Sequence, residues 1–521
     1  LPSAFARDRL LIVSIDRRRG TRAGALRLLA SSLTSLAALS AAAQGRVPDA
    51  KGPAALENAY PVEIQPNGVV REFTIRAAPT RLPLIGLENI EVWAYNGQVP
   101  GPTLRVRLGE TLRVRFHNAL PQPTTIHWHG VRVPNAMDGV PGVTQPPVPP
   151  GGEFVYEFTP KDAGTFWFHP HLRASEQVER GLFGVLIVED ASPPPFSREL
   201  VLVLDDWLLG RDLQIDPRFN TGRDLSHDGR WGNYITVNGE RRPRFEVRPG
   251  ERLRLRLINV ANGRVFAPDF GALDPRVIAV DGLYTARPLD LSSLELAPGN
   301  RVDLDLSVPA ASSNGPWLVH DVFTERHTRH SIAELRKTPR GLPPSFDEQA
   351  ALARQRPIPL FSLAAEPGDA AAPARFESPA RAHVPAWSDA ATRPLRAEFE
   401  LNARRGGEYG LQWTINDQAF DHHAHQGAVD LAVLPHGEWS KLRFVNESAR
   451  LHPMHLHGTF FKLLTRNGAA VDEPFFRDTV LIRQHETIEI GLVPLDKGRW
   501  MMHCHILEHA ESGMMALLRV E

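Results

Sequence analysis

Apolar and charged residues alternate strictly along much of this chain. In GETLRVRFHNAL, Leu112, Val114 and Phe116 alternate with Arg113 and Arg115, the period-two mark of a strand with one buried face. GGEFVYEFTP (151–160), GTFWFHPH (164–171) and GLFGVLIVED (181–190) read as further short strands bounded by turn residues. The pattern then recurs. ITVNGERRPRFEVRPGERLRLRLINVANG (235–263) parallels AYNGQVPGPTLRVRLGETLRVRFHNAL (94–120): an Asn-Gly turn, a strand, a Gly-Glu turn, and a strand ending in Asn. WTINDQAF (413–420) and GEWSKLRFVNES (437–448) form a third copy. A β unit repeated about three times predicts an all-β chain of three β-sandwiches. They are expected over 58–190, 191–345 and 396–521. Residues 1–57 are expected to be an export signal and linker, and the Ala/Pro-rich, aperiodic stretch 346–395 a linker.

Composition narrows the picture. The 45 prolines and 40 glycines supply the turns such a fold needs. A formal net charge of -1 argues against nucleic acid or an anionic membrane as partner. One cysteine excludes an internal disulfide framework. Arg17, Arg18 and Arg19 precede the weakly apolar tract 28–43, which closes on an Ala41-x-Ala43 cleavage pattern. The tract is too short and too rich in Ser and Thr to span a membrane. A periplasmic or otherwise exported protein is expected, by the twin-arginine route, with no span in the mature chain.

Histidines carry the candidate chemistry, in four motifs: HWHG (127–130), HPH (169–171), HPMHLHG (452–458) and HCH with a following His and Met (503–514). On a strand, residues i and i+2 share a face, so His-x-His offers two imidazoles to one side. DHHAH (421–425) is equally dense but has no matching partner set, and reads as a solvated loop. The single thiol, Cys504, lies between His503 and His505, facing away from both. Two histidines, a thiolate and a distant methionine make a blue-copper site, and His452, Cys504, His509 and Met514 supply that set. The 503–505 backbone would then join two metal sites on opposite faces.

These motifs, in this order, resemble the multicopper oxidases, and in particular their three-domain, laccase-like bacterial branch. The resemblance covers about residues 58–521. It implies three cupredoxin-like Greek-key β-sandwiches and four copper ions, one type 1, one type 2 and two type 3. By motif position, His127 and His455 would hold the type 2 ion. His129, His169, His171, His457, His503 and His505 would hold the type 3 pair. The implied reaction is one-electron oxidation of a small reducing substrate, a phenol or aromatic amine, at the edge of His509, with electrons passing through Cys504 to reduce dioxygen to water. Met514 stands where some members have Leu or Phe, which implies a lower potential than theirs. Asp138 matches an acid near the type 2 water channel, although an Asp before Gly is also an ordinary turn former. Asp478 matches a family position and is expected to support ligands. Many bacterial relatives carry a Glu after the second blue-copper histidine. Here Ala510 stands there, followed by Glu511, so Asp138 is expected to deliver most protons with Glu511 or ordered water assisting.

Three other readings compete. A copper-free structural relative would have lost ligands, but all twelve positions are filled. A nitrite reductase-like enzyme would not need the extra histidines. A cuprous-ion oxidase would resemble members with a methionine-rich insert. This chain has six Met, five of them within or beside the ligand motifs.

Overall fold

A computed structural model describes residues 63–291, 294–309, 316–323, 357–366, 376–378, 393–421 and 429–521. The expected export signal and residues 422–425 of the DHHAH tract lie outside them. Among the described residues no helix is long and apolar enough to cross a membrane.

The sequence repeat is a repeat of topology. Strand Val70–Leu84 forms a hairpin with Leu87–Tyr95 and runs parallel to Thr111–Asn118, which pairs antiparallel with Glu153–Phe158. Arg198–Trp207 does the same between Tyr234–Val237 and Arg252–Asn259, and Leu395–Arg405 between Leu411–Ile415 and Ser440–Asn446. A second sheet accompanies each, giving six sheets in three pairs. The alternation resolves as expected: Leu112, Val114 and Phe116 are buried, and they share one core with Leu104, Phe166 and Phe168 of the facing sheet.

The turn residues explain why the copies fold alike. Asn96, Asn238 and Asn416 all take positive φ (54, 56 and 51°), which Asn tolerates and a two-residue hairpin requires. Asn118, Asn259 and Asn446 each end a strand. In each, Oδ1 accepts the N–H two residues on, and the amide donates to two loop carbonyls. These bonds tie off the loops that follow each strand.

One expectation fails. The stretch 346–395 is not wholly linker, because Ile358–Ala365 is a strand, parallel to Arg244–Val247 and antiparallel to Trp317–Asp321. It buries Ile358, Leu360, Phe361 and Leu363 in the second core. This apolar run was hidden by the Ala/Pro-rich sequence beside it.

Candidate metal centre

Two buried donor sets meet at the strand Gly498–Cys504. That strand pairs with His452–Leu456, setting His455 opposite His503 and Met454 opposite Cys504. In the other sandwich, His127–His129 pairs with Gly164–His169, setting His127 opposite His169. His171, His457 and His505 stand just beyond their strands rather than on them. All ten motif histidines, Cys504 and Met514 are buried.

The first set is His452, Cys504 and His509. The two Nδ1 atoms lie 3.6 and 3.8 Å from Cys504 Sγ and 3.2 Å from each other. Their protons can be assigned. His509 Nε2 faces the His227 carbonyl at 2.7 Å, which can only accept. Ser448 Oγ donates to Asn446 Oδ1, so it accepts from His452 Nε2, 2.7 Å away. Each Nε2 therefore carries the hydrogen, and both Nδ1 atoms present bare lone pairs. Two lone pairs 3.2 Å apart repel unless a cation lies between them and the sulfur. Burial pushes the Cys504 thiol up and holds His509 down at about 3; a bound metal ion reverses the first cost by taking the thiolate. Trp413 lies across His509, ring centroids 4.2 Å apart. Cys504 N donates to the Met514 carbonyl at 3.1 Å, so the methionine's backbone is bound to the site.

The second set holds the other eight histidines. In five, Nδ1–H donates to a fixed acceptor: His127 to Asp138 O (2.7 Å), His169 to Pro170 O (2.9 Å), His455 to Asp478 O (3.0 Å), His503 to Cys504 O (2.9 Å) and His457 to Asp138 Oδ2 (2.9 Å). Their Nε2 atoms are thus bare acceptors turned inward. His503 Nε2 sits 3.2 Å from His457 Nε2 and 3.3 Å from His171 Nε2. The buried Nε2 atoms of His127, His169 and His455, and both ring nitrogens of His129 and His505, have no hydrogen-bond partner. Unpaired buried ring nitrogens in such number fit metal ions. Burial, followed by neighbouring charges, holds His129, His169, His171, His457, His503 and His505 well below the usual imidazole range, so the rings stay neutral and able to ligate. Gly299, at φ +91°, backs directly onto this set: a Cβ there would fall 2.9 Å from His129 and His505.

The structure also brings in residues that carry no motif. Arg301 donates to both oxygens of Asp478, at 2.9 and 2.7 Å. Asp281 accepts from the backbone N–H groups of Arg301, Asp478 and Thr479. Burial pushes Asp478 up, but Arg301 and His455 outweigh it and hold the carboxyl low. Asp478 Oδ1 then lies 3.3 Å from His129 Nε2 and 3.4 Å from His455 Nδ1. Glu508, fully buried beside His509, accepts from Asn262 Nδ2 (2.7 Å) and Arg230 N (3.0 Å). Its role was not legible, since one acid in a helical turn has no signature. Of the two proposed proton donors, Asp138 touches His127 and His457, whereas Glu511 is half-buried and accepts from Ala174 N.

One site expectation is corrected. No edge of His509 is open to a substrate: the ring is fully buried, and the His227 carbonyl, in a segment bound to the third sandwich at four points, stands against it. His227 O takes its Nε2–H, Leu225 O takes Trp413 Nε1–H (2.8 Å), Ser226 O takes Arg450 Nε–H (2.6 Å), and Asp228 Oδ1 takes Leu451 N–H (3.1 Å). The apolar ring surface and four hydrogen bonds make that cover favourable.

A soft sulfur beside imidazoles suits copper or zinc rather than hard cations. Set one residue from a buried imidazole cluster, on a frame of cupredoxin-like sandwiches, it fits the class of copper-dependent oxidoreductases. Residues 78–193, 198–331 and 393–521 each match a family pattern described as multicopper oxidase. Multicopper oxidase MmcO of Mycobacterium tuberculosis is 27% identical, covering 97% of each chain. Copper resistance protein A of Escherichia coli is 24% identical over 86% of this chain and 92% of its own. The crystal structure of a multi-copper oxidase from Pseudomonas thermotolerans is 31% identical, with a TM-score of 0.68 over 87% of this chain and 100% of its own. The chain belongs to the multicopper oxidase family, whose members are oxidoreductases that use oxygen as acceptor.

Proposed function

We propose that the protein is an exported, laccase-like oxidase that couples oxidation of a phenol or aromatic amine to reduction of dioxygen to water. The observation that carries this reading is the convergence of bare imidazole lone pairs in two sets joined by residues 503–505. Copper bound there would accept electrons singly and give dioxygen the four it needs. His452, Cys504, His509 and Met514 hold the type 1 ion; His127 and His455 hold type 2; His129, His169, His171, His457, His503 and His505 hold the type 3 pair. The Cys504 carbonyl, accepting from His503 Nδ1–H, adds a hydrogen-bonded link to the covalent one between the sets. Asp138 fixes two cluster histidines and stands close enough to deliver the protons that water formation consumes. Glu511, bound to Ala174 N, assists from farther off.

The E. coli relative is named for copper resistance, and a second reading consistent with that name is oxidation of cuprous ion. The scarcity of methionine outside the ligand motifs favours the organic substrate. Metal analysis and spectroscopy test the core of the proposal. The loaded protein should be blue and hold four coppers per chain, about the count that twelve ligands serve. Cys504→Ser should remove the colour and leave the type 2 signal. A colourless loaded protein, or a content of only one or two coppers, would end the reading. Oxygen uptake with a phenol, an aromatic amine and cuprous ion, side by side, decides between the substrates.

A further inference from the structure

His509 is sealed, yet any oxidase of this kind must admit electrons. The sealing contact is itself a conduit. From the His227 carbonyl that holds His509 Nε2–H, the chain runs through one peptide to Asp228. The Asp228 carbonyl accepts from Trp231 Nε1–H at 2.8 Å. The Trp231 ring lies 6.4 Å, centroid to centroid, from Phe323. Phe323 is a wall of a surface pocket of about 500 Å³, within the size range of small-molecule sites.

That pocket has a definite chemistry. Phe270, Leu273 and Leu291 join Phe323 as apolar walls, and the carboxylates of Asp269, Asp274, Asp290 and Glu295 stand around them. Two of these already have cations, Asp290 with Arg276 (2.7 Å) and Glu295 with Arg483 (2.8 Å). Asp269 and Asp274 are exposed, and no basic residue lines the pocket among the described residues. An apolar slot with excess negative charge suits a ring carrying a positive group and disfavours an anionic one.

We propose that this pocket docks a cationic aromatic reductant whose electron reaches His509 through Phe323, Trp231 and the His227–Asp228 peptide. The proposal rests on the type 1 assignment of His509 above. The chemistry balances simply. The docked phenolic O–H bond breaks, one electron passes along the route to reduce the type 1 site by one equivalent, and the proton leaves to bulk water at the pocket mouth.

The experiment uses three catechols of matched reactivity: 4-(2-aminoethyl)catechol (a cation), 4-methylcatechol (neutral) and 3-(3,4-dihydroxyphenyl)propanoate (an anion). Anaerobic stopped-flow follows bleaching of the blue band in the copper-loaded protein. At low salt the cation should bleach it roughly tenfold faster than the anion, and added salt should erase the difference. In Asp269→Asn/Asp274→Asn the charge preference should collapse. In Phe323→Leu all three rates should fall, with the blue spectrum and potential unchanged. A second readout needs no copper: phenyltrimethylammonium, titrated calorimetrically, should bind the parent and bind the double Asn variant roughly tenfold more weakly. Equal rates for the three catechols, an indifferent Phe323→Leu, or no binding of phenyltrimethylammonium would each overturn the proposal. Cuprous ion as the preferred donor, lost in the double variant, would overturn the aromatic class. A protein that never turns blue would instead overturn the oxidase reading on which the proposal stands.

Discussion

Replacing Asp138 by Asn separates two roles that one carboxylate combines. Asp138 is buried at the end of the short helical turn Asn135–Met137. Its Oδ2 accepts from His457 Nδ1–H at 2.9 Å, its backbone carbonyl accepts from His127 at 2.7 Å, and Oδ1 lies 3.3 Å from His127 Nδ1. An Asn amide oxygen can still serve His457, and the backbone bond to His127 is untouched. What is lost is the charge on one hydrogen bond, about 1 kcal/mol, or roughly five- to tenfold in metal retention. That sits at the low end of the ~10–100-fold expected when a ligand-orienting partner is removed altogether. Loss of a proton donor is larger, roughly 10²–10⁴-fold when the proton step limits. The two effects are therefore separable in magnitude and in assay. Copper content measures the first. Stopped-flow mixing of the fully reduced enzyme with dioxygen measures the second, with anaerobic reduction of the blue site as the internal control. Asp138→Asn should keep most of its copper, reduce normally and reoxidise at least a hundredfold more slowly. Normal reoxidation would remove Asp138 from proton delivery. Slowing only in proportion to lost copper would leave it a positioning residue. Slowing in Glu511→Gln alone would move the role to Glu511.

Other outcomes follow from the buried charges. Arg301→Met leaves Asp478 and Asp281 buried without their guanidinium, which should cost about 3–5 kcal/mol of stability and loosen metal at His129 and His455; an unchanged melting temperature and copper content would refute that account. Asp321 is raised to about 6 by burial, above the 3.8 of an ordinary Asp, while accepting from Ala267 N and Phe323 N. Its stabilising contribution is therefore full at low pH and is lost as pH rises from about 3.8 to about 6. Asp321→Asn keeps both bonds without ionising, so by neutral pH it should be more stable than the parent by up to about 3 kcal/mol. Parallel stability–pH curves for parent and variant would rule this out. With phenols, aromatic amines and cuprous ion compared by oxygen uptake, the aromatic donors should dominate; a response to cuprous ion alone would make the enzyme a metallo-oxidase.

The three-fold repeat was legible because it is written in side chains with strong local preferences. Asn at a left-handed turn and Asn at a strand end are read locally, and each recurs three times with the same bonds. The clustering of the histidine motifs was legible for another reason: one His-x-His is commonplace, but four such motifs in one chain are not. What stayed hidden acts through backbone atoms or long-range partners. The carbonyls of Leu225, Ser226 and His227 bind Trp413, Arg450 and His509, and a carbonyl has no sequence signature. Arg301 reaches Asp478 across 177 positions of chain, and nothing near either residue announces the other. Ser448 was the exception that could have been found, four residues before His452 and in the loop that Asn446 organises.

Among the described residues the second sandwich adds no member to either donor set, yet it shapes one of them. An imidazole gives a metal one nitrogen, and which one depends on where the other finds an acceptor. For His127, His169, His455, His457 and His503 the acceptor sits on the Nδ1 side and lies within the ligand-bearing sandwiches, so Nε2 turns inward. His452 and His509 are reversed: an acceptor takes Nε2–H and frees Nδ1 for the sulfur. For His452 that acceptor is local, in Ser448. For His509 it is the His227 carbonyl, brought from the second sandwich by a segment that also binds Trp413, Arg450 and Leu451. The motif thus dictates that a histidine is present, and the ligand-free sandwich dictates which of its nitrogens faces Cys504. The same contact that sets the tautomer also closes the ring to solvent. On the proposed route, electrons would therefore enter through the second sandwich rather than around it.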